Sequence, residues 1–245
     1  MPWNAKTYGK YTLSDNEGLE NVDEIATLLQ AISQFYPSRP DWPIISIAAL
    51  VGNICNEGGL NPWAWENDIV PTVQQFNNWQ QQGTGSNHGY GLVGWTPPWN
   101  YINSNNASQL YQWGYGPNFL DSAGQANDGD AQIMYITDVA PTYWQYRSAS
   151  YIINYYGWVL EDEGFSPEDI DDIANMTYAD FIGGNYSVEV LTAAYMCKFE
   201  GPSAQYAHLD RRLQDARTAY EYLTGIHPPD PGFIINANTW KFYLY

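Results

Sequence analysis

The chain has 245 residues, 27 of them acidic and 9 Lys or Arg, for a net charge of −18. That charge argues against nucleic acid and against an anionic membrane surface as partners, because both are bound through clustered Lys and Arg. A hydrophobic content of 44% excludes a disordered chain, and no run of about 18 apolar residues is present to cross a bilayer.

Residues 1–20 read as an N-terminal extension. The stretch MPWNAKTYGKYTLSDNEG has no apolar segment of the kind a secretory signal needs, so no signal peptide is expected. Asn21 and Glu24 have the spacing of a capping box, and Val22, Ile25, Leu29, Ile32 and Phe35 follow on one face. This predicts a helix from about 21 to 35, stopped by Pro37 and Pro40. A second helix is predicted from near Asp41, with Pro43 in its first turn. Ile44, Ile45, Ile47, Ala48, Leu50, Val51 and Ile54 make it apolar nearly all round, the pattern of a buried helix. Gly58 and Gly59 then end it.

Residues 60–126 are rich in Asn, Gln, Gly, Trp and Tyr and have little helical period. Within them GYGLVGW, residues 89–95, reads as a short strand or hairpin. Helices return from Asp128. Ser166-Pro167-Glu168-Asp169 is a strong helix start, with Ser as cap and Pro at the first helical position. Tyr206, Leu209, Leu213, Ala216, Tyr220 and Leu223 step by three and four toward Gly225, which predicts the last helix. Residues 226–245 read as a tail or linker. The plan is therefore one domain over 21–225, mainly α (α+β), with a small β-hairpin beside a cleft.

The 11 Trp and 21 Tyr offer flat apolar faces with polar edges, the complement of a sugar ring, but equally the material of a Tyr-rich core. Glu57 stands where the buried helix gives way to the polar insert. Apolar neighbours and the negative end of the helix dipole both disfavour a charged carboxylate there, a setting that suits a general acid. Glu66 follows in WAWEND, and a turn through Asn61-Pro62 can bring it back to face Glu57. Two carboxylates in unlike surroundings across a cleft are what glycoside hydrolysis requires. Other pairings are weaker. Cys55 and His88 could suggest a cysteine peptidase, but a thiol at a helix C-terminus is a poor nucleophile. His88, His208 and His227 lie far apart with no HExxH and no paired Cys, so neither a metal nor another cofactor is expected. Glu200, in FEGP, could be a third cleft acid, but reads better as structural, pairing with Arg211 or Arg212 or accepting backbone N–H groups.

IAALVGNICNEGGLNPWAWE followed by GYGLVGWT resembles the phage tail lysozyme family, with its helix, catalytic glutamate, Asn-Pro turn and Gly-Tyr-Gly-Leu-x-x-Trp strand. YMCKFEGP followed by RRLQDARTAYEYL is similar to the closing element of that family. The resemblance covers about residues 20–224. It implies a lysozyme-like fold and hydrolysis of bacterial peptidoglycan by a protein of the virion tail, acting at the host wall among other phage tail proteins. The family glutamate falls on Glu57 and the second acid on Glu66. Trp65, Tyr90, Trp95 and Thr96 become candidates for substrate contact. The chain departs from the family at Gly58, where Ser is common, and at Gly94, where Gln is common. Two rivals share these motifs: a lytic transglycosylase, and a non-catalytic wall-binding or structural tail module.

Overall fold

A computed structural model describes residues 3–6, 8–69, 71–83, 88–102 and 128–225. The predicted tail, His227 and most of the insert beyond 102 lie outside the described residues. The fold is mainly helical. Its helices are α1 (Asn16–Gln30), α2 (Ile32–Phe35), α3 (Ile44–Asn56), α4 (Val73–Gln82), α5 (Trp99–Ile102) and α6 (Asp128–Tyr146). They are followed by α7 (Ala149–Asp162), α8 (Pro167–Asn175), α9 (Tyr178–Gly183), α10 (Val188–Tyr195) and α11 (Leu209–Thr224). None of them is long and apolar enough to cross a membrane.

The start of α1 differs from its prediction. Its N-cap is Asp15 rather than Asn21. Asn21 is fully buried on the inner face of the helix beside Val22, Ile25 and Leu29. Its side chain accepts from Asn4 N at 2.7 Å and donates to Leu60 O at 2.6 Å. A polar residue with the spacing of a cap thus serves as a clamp on other segments. The helix also breaks at Ala31 instead of running through to Phe35.

The buried helix is present as α3, with Pro43 at its N-cap and every residue from Ser46 to Ile54 buried. It is the central element, packed most extensively on α11, then α10, and also on α1. The α3–α11 approach is close because Gly52 has no side chain. A Cβ there would stand 2.5 Å from Arg212 O and 2.6 Å from Ala216 Cβ. That closeness carries α11 side chains to the end of α3, where the site lies.

At α8, Ser166 caps as predicted, in a full capping box with Asp169 and with Pro167 in the first turn. Gly225, with φ of 64°, closes α11. The segment 89–95 is a tight turn. Tyr90 and Trp95 form an antiparallel bridge, Tyr90 N to Trp95 O at 3.2 Å and the reverse at 2.8 Å, and Trp65 bridges Tyr90 on its other side. These are isolated bridges, and no strand occurs among the described residues.

Candidate active site

A cleft of about 530 Å³ opens at the C-terminal end of α3. Lys10, Glu57, Trp65, Glu66, Asp68 and Thr96 all line it. Glu57 is the C-cap of α3, and its N–H donates to Asn53 O at 3.2 Å. Its side chain is 28% exposed. Oε1 accepts from Arg212 Nη2. Oε2 faces Gly94, lying 3.7 Å from where a Cβ at that position would stand. A methyl group at Gly94 would lie in ordinary van der Waals contact with that oxygen, although the φ of 57° there favours glycine.

The surroundings of Glu57 differ from those the sequence predicts. Its carboxylate meets a fully buried guanidinium, not a purely apolar wall. Arg212 also donates from Nε to Ala207 O and from Nη1 to Asn53 Oδ1, both at 2.9 Å. Asn53 is held in turn through Nδ2, which donates to Ala49 O at 2.9 Å and Thr192 O at 3.1 Å. A buried charge needs a partner and satisfied hydrogen bonds, and this network supplies both. The ion pair holds Oε1 inward and leaves Oε2 to the cleft.

Glu200 is close enough to feel this pair. It closes a π-helical turn, Met196–Glu200, that continues α10. Arg147 holds that turn, donating from Nη1 to Lys198 O at 2.8 Å and Phe199 O at 3.2 Å. The sequence predicts that Glu200 pairs with Arg211 or Arg212 or accepts backbone N–H groups. Instead the side-chain hydrogen bonds of Arg212 go to Ala207, Asn53 and Glu57. Glu200 Oε1 is buried with no hydrogen-bond partner. Burial pushes the Glu200 carboxyl well above the usual carboxylate range, and the charge of Glu57 pushes it the same way, against Arg212 and Arg147. The setting of Glu200 therefore disfavours its charged form.

Glu66 opens a single 3₁₀ turn with Asn67 and Asp68 and is exposed. Its N–H donates to Gly89 O at 2.9 Å, and its Oε2 accepts from Gly89 N at 2.9 Å. The reverse turn after 88 therefore orients the second carboxylate. Asp68 Oδ1 accepts from Gly9 N at 2.6 Å. Thr96 is exposed, with its hydroxyl donating to Gly94 O at 2.9 Å.

The aromatic candidates divide. Trp65 lines the cleft but is only 5% exposed, with its ring 4.6 Å from that of Tyr90. Tyr90 and Trp95 are buried and do not line the cleft. Both stack on Tyr101, and Trp95 also packs edge-on against Tyr135 and Phe199. Apolar packing has taken the faces that were candidates for sugar contact, and these rings support the cleft from behind. Trp99 is half-buried against the same core. Cys55 and Cys197 are free thiols. Burial pushes Cys55 well above its ordinary value, the opposite of what a nucleophile needs. His88 is stacked on Trp79, with ring centroids 4.2 Å apart.

Sequence reasoning missed three parts of the site. Arg212 enters the sequence reading only as a partner for Glu200, although a charge on the apolar stripe of Leu209, Leu213 and Ala216 is a visible signal. Asn53 carried a weaker signal as a polar residue inside an apolar helix. Lys10 carried none.

A mainly helical domain with Glu57, Glu66 and Asp68 lining one cleft, the first delivered by the end of its central helix, fits the lysozyme-like class. The chain belongs to the phage tail lysozyme family, whose sequence model matches residues 28–223, most of its length. The family makes it a lysozyme-like protein that acts on peptidoglycan. No individual curated protein matches it.

Proposed function

We propose that the protein is a muramidase-type glycoside hydrolase, carried on a phage tail, that cuts the glycan strands of the bacterial wall during penetration. The observation that carries this reading is that Glu57 and Glu66 line the same cleft from two differently built segments. Glu57 is the general acid, and Oε2, the oxygen not held by Arg212, is the atom that gives its proton to the leaving glycosidic oxygen. Glu66 is the second carboxylate. It stabilises the positive charge that develops on the sugar ring or takes a proton from the attacking water. Water adds across the broken bond, and a new reducing end is released. Trp65 and Thr96 contact the substrate. The net charge of −18 suits an enzyme delivered to an anionic wall by its virion rather than one that must find it by free diffusion.

The test is release of reducing ends from purified peptidoglycan by the wild type and by Glu57→Gln. Proton donation by a placed acid is worth roughly 10²–10⁴-fold, so the variant should lose about that much with its circular dichroism unchanged. Residual activity above about a third of wild type removes the role from Glu57. Mass spectrometry of the fragments separates the rivals. Hydrated reducing ends support hydrolysis, anhydro-sugars identify a lytic transglycosylase, and binding without fragments identifies a non-catalytic module.

A further inference from the structure

Residues 8–11 lie outside the stretch that matches the family, yet Gly9 and Lys10 line the cleft. Two buried asparagines tie the N-terminal segment down. Asn21 Nδ2 donates to Asn4 O at 2.8 Å. Asn61 Nδ2 donates to Lys6 O at 2.9 Å and Gly9 O at 2.8 Å. Leu60 N donates to Tyr11 O at 3.1 Å. From this seat, adjacent residues reach both acid-bearing segments. Gly9 N–H donates to the Asp68 carboxylate, and Lys10 Nζ donates to Glu57 O.

The second contact answers a deficit in α3. That helix has no basic residue in its last turn, although the last carbonyls of a helix lack intrahelical partners and sit at the negative end of its dipole. Glu57 has φ of −84° and ψ of −90°, which turns its carbonyl off the helix axis, and Lys10 caps it there. The Lys10 stem crosses Gly59. A Cβ at 59 would stand 2.5 Å from Lys10 Cβ and 2.9 Å from Cγ. Gly59, the second residue after the candidate acid, is therefore the slot through which the lysine reaches it.

We propose that the N-terminal segment is a strap that fixes the Glu57 and Glu66–Asp68 segments relative to each other, with Lys10 as the positioning residue for Glu57. The inference rests on the muramidase reading for its catalytic consequence but not for its structural one. Lys10→Met keeps the stem on Gly59 and removes the donor. Lys10→Arg keeps a donor.

The experiment measures kcat and KM for reducing-end release by the full chain, together with amide hydrogen exchange. Loss of a charged hydrogen bond from the acid's own backbone should cut kcat in Lys10→Met roughly ten- to hundredfold, with KM within about twofold of wild type. The amides of Glu57, Gly58 and Leu60 should exchange faster, and Lys10→Arg should restore most of both. A Lys10→Met kcat within twofold of wild type, a loss confined to KM, or unchanged exchange at those amides overturns the proposal. If the wild type itself releases no reducing ends, the muramidase reading fails. Exchange then judges the strap alone, faster exchange supporting it and unchanged exchange rejecting it.

Discussion

Arg212 and Glu57, 155 residues apart in the chain, meet at the inner wall of the cleft, a fully buried guanidinium against a carboxylate that is 28% exposed. The contact depends on α11 lying close enough on α3 for one side chain to serve Asn53, Ala207 and Glu57 together. Removing one member of such a set leaves the others buried and unpaired, at a cost of about 3–5 kcal/mol. Arg212→Met should therefore lower unfolding free energy by about that much in urea titrations. Arg212→Lys should recover little, because a single ammonium cannot reproduce a three-way planar fork. A loss below about 1 kcal/mol for the methionine variant means that water or rearranged side chains replace the guanidinium at little cost.

The two acids of the 66–68 turn are held in different ways, and this separates their predicted effects. Glu66 accepts from the amide of Gly89, at the start of the 89–95 turn, whereas Asp68 accepts from Gly9 in the N-terminal segment. Glu66→Gln preserves an acceptor for Gly89 and removes the charge, so it should lower kcat strongly with little change in thermal stability. Asp68→Asn should keep most activity, since an amide oxygen still accepts from Gly9. The reverse ranking in a reducing-end assay would transfer the role of second carboxylate to Asp68.

What could be read in advance was what local chemistry decides. The apolar run of α3, the Ser166 cap and the closing Gly225 are each set by neighbours a few residues away. So was the position of Glu57 at a helix end. Long-range partners left only partial signs. Asn21 has the spacing of a cap whether it caps a helix or clamps another strand of chain. Tyr90 and Trp95 have the same composition signature on a sugar platform or in a core, and only packing distinguishes the two. The N-terminal segment has no period, because it is held by hydrogen bonds to Asn21, Asn61 and Asp68 and by single apolar anchors, Trp3 in the core and Tyr11 against it, rather than by a repeating face.

The α3–α11 contact makes its own prediction. In an isolated helix Gly→Ala stabilises by about 1 kcal/mol. At Gly52 the added methyl would meet Arg212 O and Ala216 Cβ at 2.5 and 2.6 Å, so the helices must move apart. Overpacking of this kind typically costs about 1–3 kcal/mol. Gly52→Ala should lower the melting temperature and also weaken activity, because displacement of α11 carries Arg212 away from Glu57. A variant as stable and as active as wild type would show that the two helices can separate without disturbing the ion pair.

Glu200 links the site to pH. Burial first, and the charge of Glu57 second, raise its carboxyl well above the usual range. In the unfolded chain the same group ionises near 4.3. Between those two values the folded state binds the extra proton, so stability due to Glu200 is fully present below the unfolded value and is lost as pH rises toward the folded one. The slope contributed by one such group approaches about 1.4 kcal/mol per pH unit. Glu200→Gln, neutral at every pH, should remove that slope. Urea unfolding from about pH 4 to pH 8 should show wild type losing stability relative to the variant, with the gap widening as pH rises. Because Glu57 is part of the cause, the gap should narrow in a Glu57→Gln background. Parallel pH profiles for wild type and Glu200→Gln would mean that Glu200 ionises in the native state, with water or Arg147 meeting its buried oxygen. Parallel profiles only in the Glu57→Gln background would mean that the proton on Glu200 is there because Glu57 is charged.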